Sequence, residues 1–251
     1  MADIGGVGTI RPVPAGNGWQ WIADAWKLFL KHAGIWVLLF VIFMVILVAL
    51  GWLGAIGNLA AALLIPILGG GFVLAARTSD QGGAPEIAHL FAGFKEKAGP
   101  LAMLGVFNLV ALLVIFLIVA VVGVIMGVGT GMGAMMGGMA GGGHGATMGS
   151  MAAMSASMLL GFLVMLALSV PIAAALWFAP ALIMFRNAAP MDALKASFTA
   201  CLKNMIPFLI FGLAALGLSI VASIPFGLGW LALGPVLGIS VYTGYRDIFL
   251  G

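Results

Sequence analysis

From Ile35 to Leu53 the chain runs for nineteen residues without a charge, and fourteen of these are Leu, Ile, Val or Phe. A helix crosses the roughly 30 Å hydrocarbon core of a bilayer with about 20 apolar residues, so this stretch is long enough to span one. At roughly −0.3 to −0.6 kcal/mol per such residue, insertion is favoured by several kcal/mol. Five more stretches have the same character: Leu59–Ala76, Leu101–Met126, Met158–Phe185, Ile206–Ser223 and Gly227–Tyr245. Ile224-Pro225-Phe226-Gly227 parts the last two and reads as a tight turn. The runs are apolar on every face and lack the alternation of a membrane β-strand. The predicted fold is therefore all-α, an integral membrane domain of six transmembrane helices over residues 1–251. Only 7% of the residues are charged, against about 25% in soluble domains, so a soluble surface could not be built.

The charges mark a topology. Asp3, Arg11, Asp24, Lys27 and Lys31 precede the first run. Arg77, Asp80, Glu86, Lys95, Glu96 and Lys97 lie between the second and third, and Arg186, Asp192, Lys195 and Lys203 between the fourth and fifth. Arg246 and Asp247 follow the sixth. All seventeen charged residues thus fall on one side. The positive-inside rule makes that side cytoplasmic, with both termini there. Asp3 interrupts the N-terminus and the first long apolar run starts late, so no cleavable signal is expected. The lone cysteine, Cys201, leaves no internal disulfide to form. A net charge of +3 with no basic run excludes a nucleic-acid surface.

The chain repeats itself three times. Trp26-Lys27-Leu28-Phe29-Leu30-Lys31-His32-Ala33-Gly34, Phe91 to Gly99 and Phe198 to Ile206 each place an aromatic residue five and six positions before polar ones, and a span follows. Pro100 and Pro207 are equivalent, with Ile35 in their place in the first copy. Pro66-Ile67-Leu68-Gly69 runs to Arg77 as Pro235-Val236-Leu237-Gly238 runs to Arg246, and Arg186 closes the middle copy. The predicted units, about 14–77, 85–186 and 190–246, each consist of one interfacial helix and two spans. An even span count inserts all three the same way up, related by rotation about the membrane normal. Ile87, Leu90, Phe91, Phe94 and Ala98 predict one amphipathic helix in the second copy. Ile22, Trp26, Phe29 and Ala33 make that face in the first copy, and Met191, Leu194, Phe198 and Met205 in the third. Pro85-Glu86, and Pro190 with Asp192, read as helix starts. Trp19, Trp21 and Trp26 suit the headgroup layer. Gly71 with Ala75, and Gly234 with Gly238, have the spacing of close helix packing.

Val13-Pro14-Ala15-Gly16-Asn17-Gly18-Trp19-Gln20-Trp21-Ile22, with Trp26-Lys27-Leu28-Phe29 after it, resembles the N-terminal signature of an uncharacterised proteobacterial inner-membrane protein family. His89-Leu90-Phe91-Ala92-Gly93-Phe94 is similar to that family's second unit. The resemblance covers nearly the whole chain apart from the Met/Gly-rich loop. It implies the same fold and orientation and a bacterial inner membrane, and it carries no activity.

Little in the sequence points to chemistry. No Asp, Glu, Lys, Arg or His falls within a span, so the usual mark of an ion path is missing. Asn108 is the only side-chain amide in a span and is expected to bond a neighbouring helix. Asn and Ser alone do no general acid–base work near neutral pH. His32, His89, Glu86, Glu96 and Cys201 show no spacing that makes a catalytic set, and Gly5-Gly6-Val7-Gly8 lacks the Lys-Ser/Thr of a phosphate loop. The chain is not expected to be an enzyme, and no catalytic residue or cofactor is assigned.

The loop at about 127–157 is the exception. Met132, Met135, Met136 and Met139 share one helical face, and Met148, Met151, Met154 and Met158 roughly another. Gly141-Gly142-Gly143-His144-Gly145 would turn between them. Thioether and imidazole ligands suit Cu(I), so Met132, Met135, Met136, Met139, His144, Met148 and Met151 form a candidate copper set. Flexible methionines packed against a partner, or a low-complexity linker, account for the same residues. The function expected is structural or accessory: an inner-membrane protein packing against a membrane-protein partner, a second copy or lipid. A transporter or channel for a small neutral or apolar solute is the alternative, and Cu(I) handling a third. A polar-lined cavity between the repeats would favour transport, and a packed centre the accessory role.

Overall fold

The computed structural model describes residues 9–139 and 145–251, with side chains described for 9–124 and 158–251. The helices are α1 Asn17–Lys31, α2 Ala33–Gly51, α3 Gly54–Asp80, α4 Ile87–Leu90, α5 Ala92–Glu96 and α6 Ala98–Met139. After them come α7 Gly145–Trp177, α8 Ala179–Arg186, α9 Pro190–Lys203, α10 Met205–Ser223 and α11 Trp230–Tyr245, which a π turn at Arg246–Leu250 extends. The chain divides into two units, one of residues up to Asn108 with Ala174–Gly251, the other Leu109–Ala173. In the second unit, parts of α6 and α7 meet where a Cβ at Gly161 would lie 3.8 Å from Val119 Cγ1.

Among the described residues five helical stretches are long and apolar enough to cross a membrane: Ala33–Gly51, Gly54–Asp80, Ala98–Val124, Met158–Arg186 and Met205–Ser223. The sixth predicted run is shorter than Gly227–Tyr245. The turn expected at 224–227 extends to Gly229, with Phe226 at φ 52° and Gly227 at φ 81°. Helix α11 therefore has 16 residues, about 24 Å at 1.5 Å per residue.

In the first unit α3, α8 and α11 form the inner layer. Helix α1 packs on α10 and α11, α4 and α5 on α3, and α9 on α8. Half of the α3 span is buried, whereas α2 and α10 present most of their residues outward.

One sequence expectation needs correction. The second amphipathic segment is not one helix. It breaks at Phe91, and the two short pieces lie close against α3. A Cβ at Gly71 would run into the Leu90 and His89 carbonyls, and one at Gly93 into that of Ile67. The apolar faces read in the sequence are buried in the protein only in part. Leu194 is buried, but the face that α9 buries is mostly Ala193, Ala196, Ser197 and Ala200, while Met191 and Met205 are exposed. Helix α1 buries Gly18, Trp21, Ile22, Ala25, Leu28 and Phe29 and exposes Trp19 and Trp26. Ile87 and Phe94 are exposed, and Leu90 is buried. Next to lipid, apolarity does not decide which side faces the protein. Close packing does, and it selects small side chains. Trp21 is buried and packs edge-on against Phe208, with ring centroids 5.1 Å apart.

Each amphipathic segment bends into the next helix at the residue six positions after its aromatic, Trp26, Phe91 or Phe198. His32 has φ −145° and ψ 47°, Lys97 −142° and 32°, Asn204 −121° and 34°. The carbonyl at each bend accepts an early bond of the next helix, from Trp36 N at 3.2 Å, Leu101 N at 3.0 Å and Phe208 N at 3.1 Å.

The break between α7 and α8 has a named cause. In a continuous helix Phe178 N–H would donate to Ala174 O. Instead it donates to Ser197 Oγ of α9 at 2.9 Å, and Ser197 Oγ donates to Ala174 O at 2.7 Å. A hydroxyl has been inserted into the helical ladder, and Pro180 in the first turn of α8 needs no N–H partner. Ser197→Ala should leave the Phe178 N–H without its partner, and the Ala174 carbonyl with only the longer Cys201 Sγ contact at 3.5 Å, and destabilise the protein by about 1–3 kcal/mol. Unfolding of the purified protein in detergent, with Ala196→Ser as a neighbouring control, measures it.

Candidate functional site

Between α2, α3, α8 and α11 lies a chamber of about 270 Å³. Helix α3 supplies Pro66, Gly69, Phe72 and Val73, and α11 supplies Gly234, Gly238 and Val241. Phe40 and Phe43 close one side, and Leu176, Trp177 and Pro180 another. Asn108 and Trp177 are its only polar-bearing side chains. On α3 the lining runs from Ala62 to Val73, about 22 to 6 Å along the helix from Arg77. The glycine pair read as a packing motif seats aromatic rings. A Cβ at Gly234 would strike the Phe40 ring, and one at Gly238 would come within 2.6 Å of the Phe72 ring. Pro66 has no N–H, so the Ala62 carbonyl loses its helical partner. Gly105 closes over that carbonyl, where a Cβ would stand 2.7 Å from it.

Towards the charged face the chamber gives way to a ring of arginines. They are Arg77, Arg186 and Arg246. The Arg77 guanidinium lies 4.9 Å from the centre of the Phe185 ring. Arg186 donates to Tyr245 Oη at 3.4 Å and to Phe249 O at 3.3 Å. Arg246 donates to Asp80 at 2.6 Å and Asp24 at 3.3 Å. Phe185 and Tyr245 directly precede the next arginine in the ring. Ala76 stands at that place before Arg77, and the carboxylate of Asp80 takes over the role. Burial works against the Arg246 charge, but the hydrogen bond and charge of Asp80, helped by Asp24, outweigh it and raise the guanidinium pKa. Tyr242 Oη also donates to Asp80 at 2.9 Å.

Neighbouring contacts hold the two ends of the chain to this ring. Asp247 accepts from Asn17 Nδ2 and Trp21 Nε1, both at 2.8 Å. Asn204, almost fully buried, accepts from Val13 N at 2.8 Å and donates to Arg11 O at 3.1 Å. A polar cavity of about 240 Å³ opens beside Asp24, Arg246 and Asp247. Its carboxylates are already engaged, Asp24 with Lys27 and Arg246, Asp247 with Asn17 and Trp21.

The polar residues singled out in the sequence do not converge. Glu86 and His89 cap α4 through each other, with Glu86 N donating to His89 Nδ1 at 2.9 Å. His32 sits at the first bend. Cys201 is buried against Ala174 O, and burial pushes its thiol pKa up to about 12, which leaves almost no reactive thiolate near neutral pH. Asn108 lies on the chamber wall. Among the described residues no three His, Cys, Asp or Glu side chains form a metal-binding group. Of the copper set, the side chains of Met132, Met135, Met136, Met139, Met148 and Met151, and the whole of His144, lie outside the described residues. Ser197, Asn204 and the arginine partners were missed in the sequence. The equal Pro–Arg spacing was the one signal that could have pointed to the ring.

No family model matches the chain, and no solved structure does. The chain is similar to a probable inner membrane protein of Burkholderia thailandensis, 29% identical over 231 residues, covering 92% of this chain and 82% of the relative. With that likeness and five membrane-competent helices, the broad class is settled. The chain is a multi-pass membrane protein. The exposed Val45, Val48, Leu113, Phe116, Leu209 and Leu213 are its lipid-facing surface.

The Arg246–Asp80 pair is only partly buried, with side-chain exposures of 37% and 22%. After allowance for solvent screening, removing one partner should cost about 1–2 kcal/mol. A double-mutant cycle of Arg246→Met and Asp80→Asn should show a positive coupling energy in detergent unfolding. Strict additivity would mean that this pair contributes nothing to stability.

Proposed function

We propose that this chain is a non-enzymatic, structural or accessory protein of a bacterial inner membrane that packs against other membrane proteins or lipid. In this reading it crosses six times, in three tandem units about the membrane normal, with both termini cytoplasmic. The observation that carries the role is the packed inner layer of α3, α8 and α11, closed on the charged face by paired arginines. A solute path would have to break that ring, and the chamber beyond it is apolar. The tandem reading draws support from the three matching bends and from the order in which each closing arginine reaches the next repeat. The short α11 makes the sixth crossing, with its 16 residues reaching about 24 Å. The inner-membrane assignment follows the relative's name, and the orientation follows the one-sided charge.

Two measurements test this. An alkaline phosphatase reporter should be active when fused within 127–157 and inactive after Gly251; the reverse overturns the orientation. Extraction from native membranes in polymer discs should yield the 25.7 kDa chain in a defined assembly with protein partners, further copies or a distinct lipid set. A bare monomer with bulk lipid, or solute flux into proteoliposomes above that of empty vesicles, overturns the accessory role.

A further inference from the structure

We propose that the chamber behind Gly69 is a binding site for one hydrocarbon chain of a membrane lipid. Gly69 carries the argument. It lies within α3, where glycine is disfavoured relative to alanine, and it lines the chamber. Its neighbours Gly70 and Gly71 are hemmed in by Leu101 and by the backbone of α4, but a Cβ at Gly69 would meet nothing within 4 Å. No close contact asks for glycine there, and its effect is to keep the chamber open.

The space it keeps open has the right chemistry and access. Apolar cavities of about 150 Å³ already take up benzene, and this one is larger. An apolar groove of about 360 Å³ runs along α2 from Trp52 to Phe40 and includes Leu231. Phe40 lines both the groove and the chamber. Trp52 is 89% exposed at the end of α2 far from the charges, where an amphipathic ring meets headgroups. Trp52 and Phe40 are twelve residues apart, about 18 Å along a helix, close to half the roughly 30 Å hydrocarbon thickness. The groove is thus one leaflet deep. An acyl chain whose headgroup sits beside Trp52 would follow α2 inward, pass Phe40 and end against Gly69 and Val241. Water is a poor occupant, since a buried water needs two to four polar partners, and Asn108 and Trp177 are the only polar-bearing side chains on the wall.

This inference extends the lipid side of the proposed role and requires only that these helices lie in a bilayer. Its failure would leave assembly with a protein partner untouched. The test uses the full chain in vesicles of phosphatidylethanolamine and phosphatidylglycerol, with a trace of phosphatidylglycerol that carries a diazirine near the end of one acyl chain. After irradiation, adducts are mapped by mass spectrometry. Phe72, Val73 and Val241 should be labelled, with Leu113 and Phe116 on the outer surface as an internal reference. Gly69→Leu should lower chamber labelling at least fivefold relative to that reference, and Gly69→Ala should lower it less. If Gly69→Leu fails to fold, the Gly69→Ala variant and the unsubstituted protein decide. Chamber residues without label in the unsubstituted protein, or labelling indifferent to side-chain size at position 69, would overturn the proposal.

Discussion

Backbone N–H and C=O groups find no water inside a bilayer, and each one left unpaired there costs several kcal/mol. A chain that crosses several times can interrupt its helices only where something else takes over the lost bond. Two kinds of interruption discussed above have such a substitute. At Phe178 the hydroxyl of Ser197 stands inside the helical ladder and serves both separated groups. At His32, Lys97 and Asn204 the bend keeps its carbonyl engaged by starting the next helix on it. These three bends direct an amphipathic segment into the helix that follows.

Residue size then decides what faces what. In water the buried face of an amphipathic helix is its most apolar one. Beside lipid that preference disappears, because a methionine or tryptophan is as well solvated outside as inside. The protein-facing sides of α9 and α5 are rich in Ala, Ser and Gly, while Met191 and Phe94 are exposed. The same logic puts Gly234 and Gly238 under the rings of Phe40 and Phe72. Gly69 departs from it, being small with nothing pressed against it.

Charge organises the remaining side of the molecule. The scarcity of charged residues makes each pairing count. Arg77, Arg186 and Arg246 each reach a distant stretch of the chain, through a ring face, a hydroxyl and carbonyl, and a carboxylate respectively. Three arginines thus use three chemistries to do one job, which is to join helix ends far apart in the sequence.

The sequence by itself determined that the chain is helical and that it belongs in a membrane. Those properties follow from the length of apolar runs and the scarcity of charges, which are one-dimensional quantities. It also carried the turn near 224–227, because prolines and glycines act locally. It did not contain in readable form the face each amphipathic segment buries, the break at Phe91, the buried position of Trp21 or the partners of Ser197 and Asn204. Leu194 is buried, but Met191 and Met205, on the same apolar face, are not. Asn108 was legible as an amide in a span, but its place on the chamber wall was not. Only the tertiary structure decided these points, because they rest on how closely two backbones approach and which polar groups they strand. That is a pairwise property of helices far apart in the chain, and hydrophobicity read along one helix carries no record of it.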